Sequence, residues 1–374
     1  MLPPLTPDDL TRYSRHLLIP GVGEEGQRRL KGASVLMIGT GGLGSPAALY
    51  LAAAGVGRIG LVDPDVVDRS NLQRQIVHGE SWVGKSKLDS AAARLRELAP
   101  NVQLDLHRTR FTPDNAETLA ADYDVIVDGS DNFPTRFLSN DVCFFLKKPN
   151  VYASIFRFDG QCTVFAPHLG GPCYRCLLPT LPAPGSVPSC DEAGVLGVLP
   201  GIVGSLQAME TIKLLLGLGD IPLGKLTCYD ALRSSFRALT LRRDPSCKLC
   251  GDSPSIHSIR NPETLGSIAC TVKSDIPTIT AADLKRRLDS GFEGLLLDVR
   301  EPHEFDIARI EGSHLVPLGT LQDALPTLPR NREILVHCKM GGRSARAVRA
   351  LLDAGFQDVT NVEGGIDAWL QLPE

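Results

Sequence analysis

The sequence predicts an α/β protein built from two successive parallel-sheet domains, and three features predict it. Short apolar runs alternate with helical patterns over the first 250 or so residues. The periodicity lapses between residues 253 and 275, where Pro254, Pro262 and scattered serines break it, and a second alternation begins at Ile276. With 374 residues the chain is long enough for two to three cores. The expected division is a first domain over 1–252, a linker over 253–275 and a second domain over 276–374.

In the first domain, Ala33 to Gly39, Arg58 to Asp63, Gln103 to Thr109 and Val125 to Asp128 read as strands, with helices over Pro46 to Ala54 and Ser86 to Leu98. This order describes a doubly wound sheet. Leu181 to Pro188 is rich in proline and reads as a turn-rich, mobile loop. In the second domain, Leu295 to Val299, Ser313 to Val316, Glu333 to His337 and Val359 to Asn361 read as short strands of a small sheet, with a helix from Ala345 to Leu352.

The net charge of -4 offers no basic footprint, so no direct nucleic-acid partner is expected. No run approaches a membrane span, and the start Met1 to Asp9 lacks a charged region followed by an apolar core, so the cytoplasm is the expected compartment. Ten cysteines without an export signal, two of their close pairs spaced Cys-x-x-Cys, point to metal or redox use rather than disulfides.

The run Gly39-Thr40-Gly41-Gly42-Leu43-Gly44 follows a strand and opens a helix, and Asp63 lies nineteen residues beyond its last glycine. Such a run admits phosphates to a helix N-terminus and a ribose to the acid, which suits NAD as well as ATP. The next residues separate the two. Asp63-Pro64-Asp65 leads into Ser70-Asn71-Leu72-Gln73-Arg74, and Lys87 follows, so an amide, an arginine and a lysine come just after the ribose position. A dehydrogenase has no need of that clamp. An enzyme cleaving ATP between its α- and β-phosphates must stabilise charge on the α-phosphorus and the departing pyrophosphate, which asks for Arg, Lys and Mg²⁺. Asp131, followed by Asn132 after a strand, could hold that metal.

Two hooks, Cys173-x-x-Cys176 and Cys247-x-x-Cys250, stand seventy residues apart. Four thiolates make a closed tetrahedral Zn²⁺ site with no open position, a structural staple; two redox pairs or unrelated buried thiols are the alternatives. Cys190 lies beside the proline-rich loop and two acids, which raise a thiol's pKa rather than lower it, so its residues alone favour a non-catalytic cysteine. Cys143, Cys162 and Cys228 read as buried structural thiols, and Cys270 falls in the linker.

In the second domain, Cys338-Lys339-Met340-Gly341-Gly342-Arg343-Ser344 follows a strand and precedes a helix. Glycines let successive N–H groups turn inward, the helix adds its positive end and Arg343 closes the ring, so a thiolate or persulfide on Cys338 is stabilised. Four residues separate Cys338 from Arg343, a loop sized for one sulfur atom rather than a phosphate.

This loop resembles the rhodanese active-site loop, and Asp298-Val299-Arg300 upstream is similar to that family's Asp-x-Arg signature. Residues from about Tyr13 to Gly251 resemble the adenylating domain of the ubiquitin-activating superfamily, in its ThiF and MoeB branch. That resemblance implies a Rossmann-like ATP-binding fold, with Gly42, Asp63, Ser70, Asn71, Leu72, Gln73, Arg74, Lys87, Asp131 and Asn132 at ATP-binding positions and Asp131 as the magnesium ligand. It also carries zinc at the four cysteines. By the same resemblance Arg15 reaches the neighbouring subunit's phosphate site, implying a homodimer, and Cys190 forms a glycyl thioester or acyl disulfide. Members activate the C-terminal glycine of a ubiquitin-like sulfur carrier ending in Gly-Gly as an acyl adenylate. The rhodanese domain suits delivery of sulfur to that carrier, taken from a cysteine desulfurase or thiosulfate. Two rivals stand beside this reading: an NAD-dependent oxidoreductase with a rhodanese appendage, and a non-catalytic protein that only docks a carrier.

Overall fold

A computed structural model describes residues 2–182, 194–259 and 276–372. They form two compact units, one comprising the residues up to 259 and the other those from 276 onward. Cys190, Cys270, the proline-rich loop beyond Pro182 and the linker from residue 260 lie outside the described residues.

The first unit is built on one eight-stranded sheet: β1 Ser34–Ile38, β2 Arg58–Val62, β3 Gln103–His107, β4 Val125–Asp128, β5 Asn150–Phe156, β6 Asp159–Phe165, β7 Lys225–Asp230 and β8 Ser235–Thr240. Its order is β3-β2-β1-β4-β5-β6-β7-β8. β3 to β5 in that order run parallel, and β6 to β8 continue antiparallel. Runs such as Val35-Leu36-Met37-Ile38 are fully buried because helices cover both faces of the parallel part. One face packs Met37, Leu51, Leu61, Leu88 and Leu95; the other packs Leu36, Val62, Ile126, Leu138 and Val142. The chain order reverses between β1 and β4, where open parallel sheets place their ligands.

The expected linker begins too early. Ile256 packs with Cys173, Leu249 and Cys250, and Ile259 with Phe111, Leu138 and Val142, so the chain stays tied to the first unit through residue 259. The prolines and serines around these two side chains hide them, because single anchors carry no periodicity.

The second unit is an all-parallel five-stranded sheet of β9 Thr278–Thr280, β10 Leu295–Asp298, β11 His314–Leu315, β12 Ile334–His337 and β13 Val359–Glu363, in the order β11-β10-β12-β13-β9. Leu297, Val336 and Val348 pack on one face, and Leu296, Leu335 and Val362 on the other. The helix after β12 starts at Gly342 rather than Ala345, which puts Arg343 and Ser344 in its first turn.

Candidate active sites and a cysteine cluster

At the reversal point of the first sheet, Gly39 takes φ +88° and the helix Gly44–Ala53 begins so tightly that a Cβ on Gly44 would lie 2.1 Å from the Gly39 carbonyl oxygen. Only glycine fits there. Asp63, buried at the end of β2, accepts hydrogen bonds through Oδ2 from the Thr40 N–H at 2.9 Å and the Thr40 hydroxyl at 2.8 Å. Its Oδ1 accepts from the Asp65 N–H at 3.0 Å. The acid that the spacing places on a ribose thus also braces the glycine loop.

Beyond β2, Asp68 caps the short turn Arg69–Asn71 by accepting from Ser70, and Arg74 Nη1 donates to the Ser70 carbonyl at 3.1 Å. Arg74 Cγ lies 3.7 Å from where a Cβ on Gly42 would sit, so the arginine runs past the glycine loop. Ser70 and Gln73 are exposed and Asn71 and Leu72 partly so. Lys87 opens the helix Lys87–Leu98 and is buried, with Nζ 3.2 Å from Asp65 Oδ2.

The sequence reading missed two buried residues beside this loop. The His78 ring reaches Ser90 through Nδ1 at 3.0 Å, while burial and the adjacent Lys87 lower its pKa to about 4, so it adds no charge. Its Nε2 and the Gln75 side-chain oxygen Oε1 have no hydrogen-bond partner among the described residues.

After β4, Gly129 packs its backbone against Gly44, since a Cβ on Gly129 would lie 3.2 Å from Gly44 N, and Asp131 and Asn132 follow it closely in the chain. Asn132 caps the helix Phe133–Leu146, its Oδ1 accepting from Thr135 N–H at 2.9 Å. Asp131 is exposed, with the Asn132 amide 3.5 Å away. A single exposed carboxylate of this kind fits Mg²⁺, which keeps most of its ligands as water and substrate phosphate.

Arg15 is not brought into this group. It is exposed on the turn Ser14–Leu17, and the neighbouring Tyr13 abuts Gly55, beyond the far end of the helix that opens at Gly44. Ten residues of helix separate the two ends, roughly 15 Å.

The four hook cysteines converge, their Sγ atoms all within 4.8 Å of one another. Three separations are 3.8, 3.6 and 3.3 Å, close to the spacing of about 3.8 Å that 2.3 Å bonds to a tetrahedral zinc require. The donor set therefore fits Zn²⁺. Hydrogen bonds with Cys173 and Cys250 draw the Cys176 thiol below its ordinary value. Between the first two cysteines, Arg175 makes a buried fork to Asp141, at 2.9 and 2.7 Å, which pins the hook to the helix Phe133–Leu146.

In the second unit Cys338 ends β12 with its thiol buried. The Gly341 N–H points at Sγ from 3.1 Å, and the Ser344 hydroxyl stands 3.4 Å away. Gly341 takes φ +100° to aim that amide. From behind, Ile366 N–H and Asp367 N–H hold the carbonyls of Cys338 and Lys339 at 2.8 and 3.1 Å. These carbonyls therefore face away while the Gly341 N–H and the Ser344 hydroxyl face the sulfur, an arrangement that stabilises negative charge on it.

Arg343 does not simply close this ring. Its guanidinium forks onto Glu304, with contacts of 2.5 and 2.7 Å. Glu304 belongs to the short helix Pro302–Ile307, where Oε2 also accepts from Glu301 N–H at 3.0 Å. Burial would raise its carboxyl, but Arg343 and that N–H hold it down to about 2. Asp298 and Arg300 pair under the opposite face of β10, with His337 3.7 Å from Asp298. They support the strand ends rather than touch the thiol.

The ThiF family matches residues 13–249 and the rhodanese-like domain residues 280–372. A Mycobacterium tuberculosis protein called probable adenylyltransferase/sulfurtransferase MoeZ is 46% identical, over 98% of this chain and 94% of its own. The adenylyltransferase and sulfurtransferase MOCS3 of Sus scrofa is 43% identical over 98% of this chain and 88% of its own. Among solved structures, E. coli MccB with ATP covers 64% of this chain and 74% of that one at TM-score 0.54 and 22% identity, a likeness of fold.

Proposed function

The chain belongs to the ThiF family, extended by a rhodanese-like domain, and is an adenylyltransferase and sulfurtransferase; from that premise we propose how its residues divide the work. The chain adenylates the C-terminal glycine of a ubiquitin-like sulfur carrier and then sulfurates it. The observation that carries this is the coexistence, in one chain, of a braced glycine loop flanked by Arg74 and Lys87 and a cysteine whose sulfur faces the Gly341 N–H and the Ser344 hydroxyl.

In the first reaction the carrier's terminal carboxylate attacks the α-phosphorus of ATP and pyrophosphate leaves. Asp63 orients the ribose, while Arg74, Lys87 and Asn71 hold the phosphates and offset the charge that develops there. Asp131 would hold Mg²⁺, which neutralises phosphate charge when bound. The cysteine cluster, as a closed site, would supply no chemistry beyond holding its segment in place.

In the second, a persulfide on Cys338 attacks the acyl carbon and AMP leaves, giving an acyl disulfide between carrier and Cys338. Attack of the Cys190 thiolate on the Cys338 sulfur would release the carrier thiocarboxylate and leave a Cys190–Cys338 disulfide. We assign Arg15 to the phosphate site of a second copy, in a cytoplasmic homodimer, and the carrier to molybdopterin, thiamine, tRNA-thiolation or a related sulfur pathway.

ATP–pyrophosphate exchange, run with carriers ending in Gly-Gly, tests the reading. Exchange should require the carrier, and Cys338→Ala should abolish thiocarboxylate formation while sparing exchange. Equal loss of both would sink the division of labour.

A further inference from the structure

We propose that the Glu304–Arg343 pair makes Cys338 an acceptor of sulfur from a thiol-borne persulfide rather than from a free dianion such as thiosulfate, with Glu304 the specificity-determining residue. This rests on reading Cys338 as the sulfur acceptor.

Arg343 is the guanidinium five positions after the reactive cysteine, in the first turn of the helix Gly342–Asp353. A planar fork there is well matched to an oxyanion such as the sulfonate end of thiosulfate. Glu304 already fills that fork with a carboxylate, through both Nη atoms, and the two side chains are only 12% and 20% exposed. The pair is electrically neutral, so a dianion approaching it finds no uncompensated positive charge in the fork. Lys339 remains beside the loop as a point charge, but it offers no fork. The sulfur itself is served by the Gly341 N–H and the Ser344 hydroxyl, which do not depend on Arg343 being available.

The chemistry of the two donors differs where this matters. With a persulfide R–S–SH, the Cys338 thiolate attacks the outer sulfur and the donor's S–S bond breaks. The electron pair departs on R–S⁻, the proton stays on the new Cys338 persulfide, and no oxidant is consumed. With thiosulfate, the same attack expels sulfite, so two negative charges must be held at the loop as the bond breaks. An uncommitted guanidinium would offset them, and this one is committed.

The test uses the full-length protein and follows persulfide formation on Cys338 by intact mass, with thiosulfate, glutathione persulfide and a persulfide-loaded cysteine desulfurase as separate donors. Glu304→Gln removes the charge while its amide oxygen can still accept from Glu301 N–H, so the helix start is kept. The ratio of kcat/KM for thiosulfate to that for glutathione persulfide should rise about tenfold in Glu304→Gln, through a lower KM for thiosulfate. Glu304→Asp, which keeps the charge on a shorter arm, should raise the ratio less, and it carries the test if the Gln variant folds poorly. Faster loading from the desulfurase than from glutathione persulfide would support a protein-borne donor, and the reverse a small thiol; both support the persulfide class. A ratio unchanged in both variants, or a wild type that prefers thiosulfate, overturns the specificity assignment alone. No persulfide on Cys338 from any donor overturns the reading of Cys338 as well.

Discussion

Asp63 and Thr40 are joined twice: one carboxylate oxygen takes both the backbone N–H and the hydroxyl of the threonine inside the glycine loop, at 2.9 and 2.8 Å. The glycine loop assigned to the phosphates and the acid assigned to the ribose are thus one braced piece. Both residues are buried, so neither bond is exchanged cheaply for water.

The first prediction follows from that coupling. Thr40→Val keeps the side-chain shape and the N–H bond but removes the hydroxyl donor. The loop loses one of its two ties, and Asp63 keeps a buried lone pair without a partner. The KM for ATP in pyrophosphate exchange should rise between three- and tenfold, equivalent to about 1 kcal/mol, with a smaller change in kcat. An unchanged KM would mean that the brace does not position the loop for nucleotide.

Much of this site was legible because its parts are neighbours in sequence. The glycine run, Asp63 and the stretch to Arg74 follow successive strand ends, where short continuous apolar runs mark the boundaries. What stayed hidden is of two kinds. Long-range pairs leave no local trace: Arg175 meets Asp141 across 34 positions and Arg343 meets Glu304 across 39. Weakly patterned elements leave little: β8 is exposed along its whole length, and the helix after Cys338 opens on Gly342, a poor helix former, so its first turn read as loop. Arg343, in that turn, pairs with a carboxylate that no neighbouring position announces.

A pH dependence is expected from His337. The ring lies on the face of the second sheet away from Cys338, fully buried, and neither nitrogen has a hydrogen-bond partner among the described residues. Burial, reinforced by Arg300, lowers it from 6.5 to about 4 despite the nearby Asp298. Between those values the unfolded chain binds a proton that the folded one refuses. The stability is therefore fully present above pH 6.5 and is lost as pH falls toward 4, by about 3 kcal/mol over the whole window. In a Trp82→Phe background, where fluorescence reports Trp369 in this unit, the urea midpoint should drop between pH 7 and pH 5. His337→Phe should flatten that slope; an equal slope in the variant would place its origin in another group.

The last prediction concerns a glycine outside the reactive loop. Gly365 takes φ +54°, and a Cβ on it would stand 2.3 Å from the Cys338 carbonyl oxygen and 2.5 Å from that of Lys339. Those carbonyls are held by Ile366 and Asp367 N–H groups, and their direction is what leaves the Gly341 N–H facing the sulfur. Gly365→Ala must push the two carbonyls away, and the peptide planes of the loop turn with them. Cys338 would then keep its place at the end of β12 but lose the amide aimed at it. Persulfide formation on Cys338 should fall by about two orders of magnitude, the scale on which a single preorganised N–H acts. Carrier-dependent ATP–pyrophosphate exchange, assigned to residues of the first unit, should stay within about twofold, since the substitution lies in the second unit. A parallel loss of exchange would show that the substitution unfolds the chain, whereas full persulfide loading would show that backbone direction at Cys338 is not what activates its sulfur.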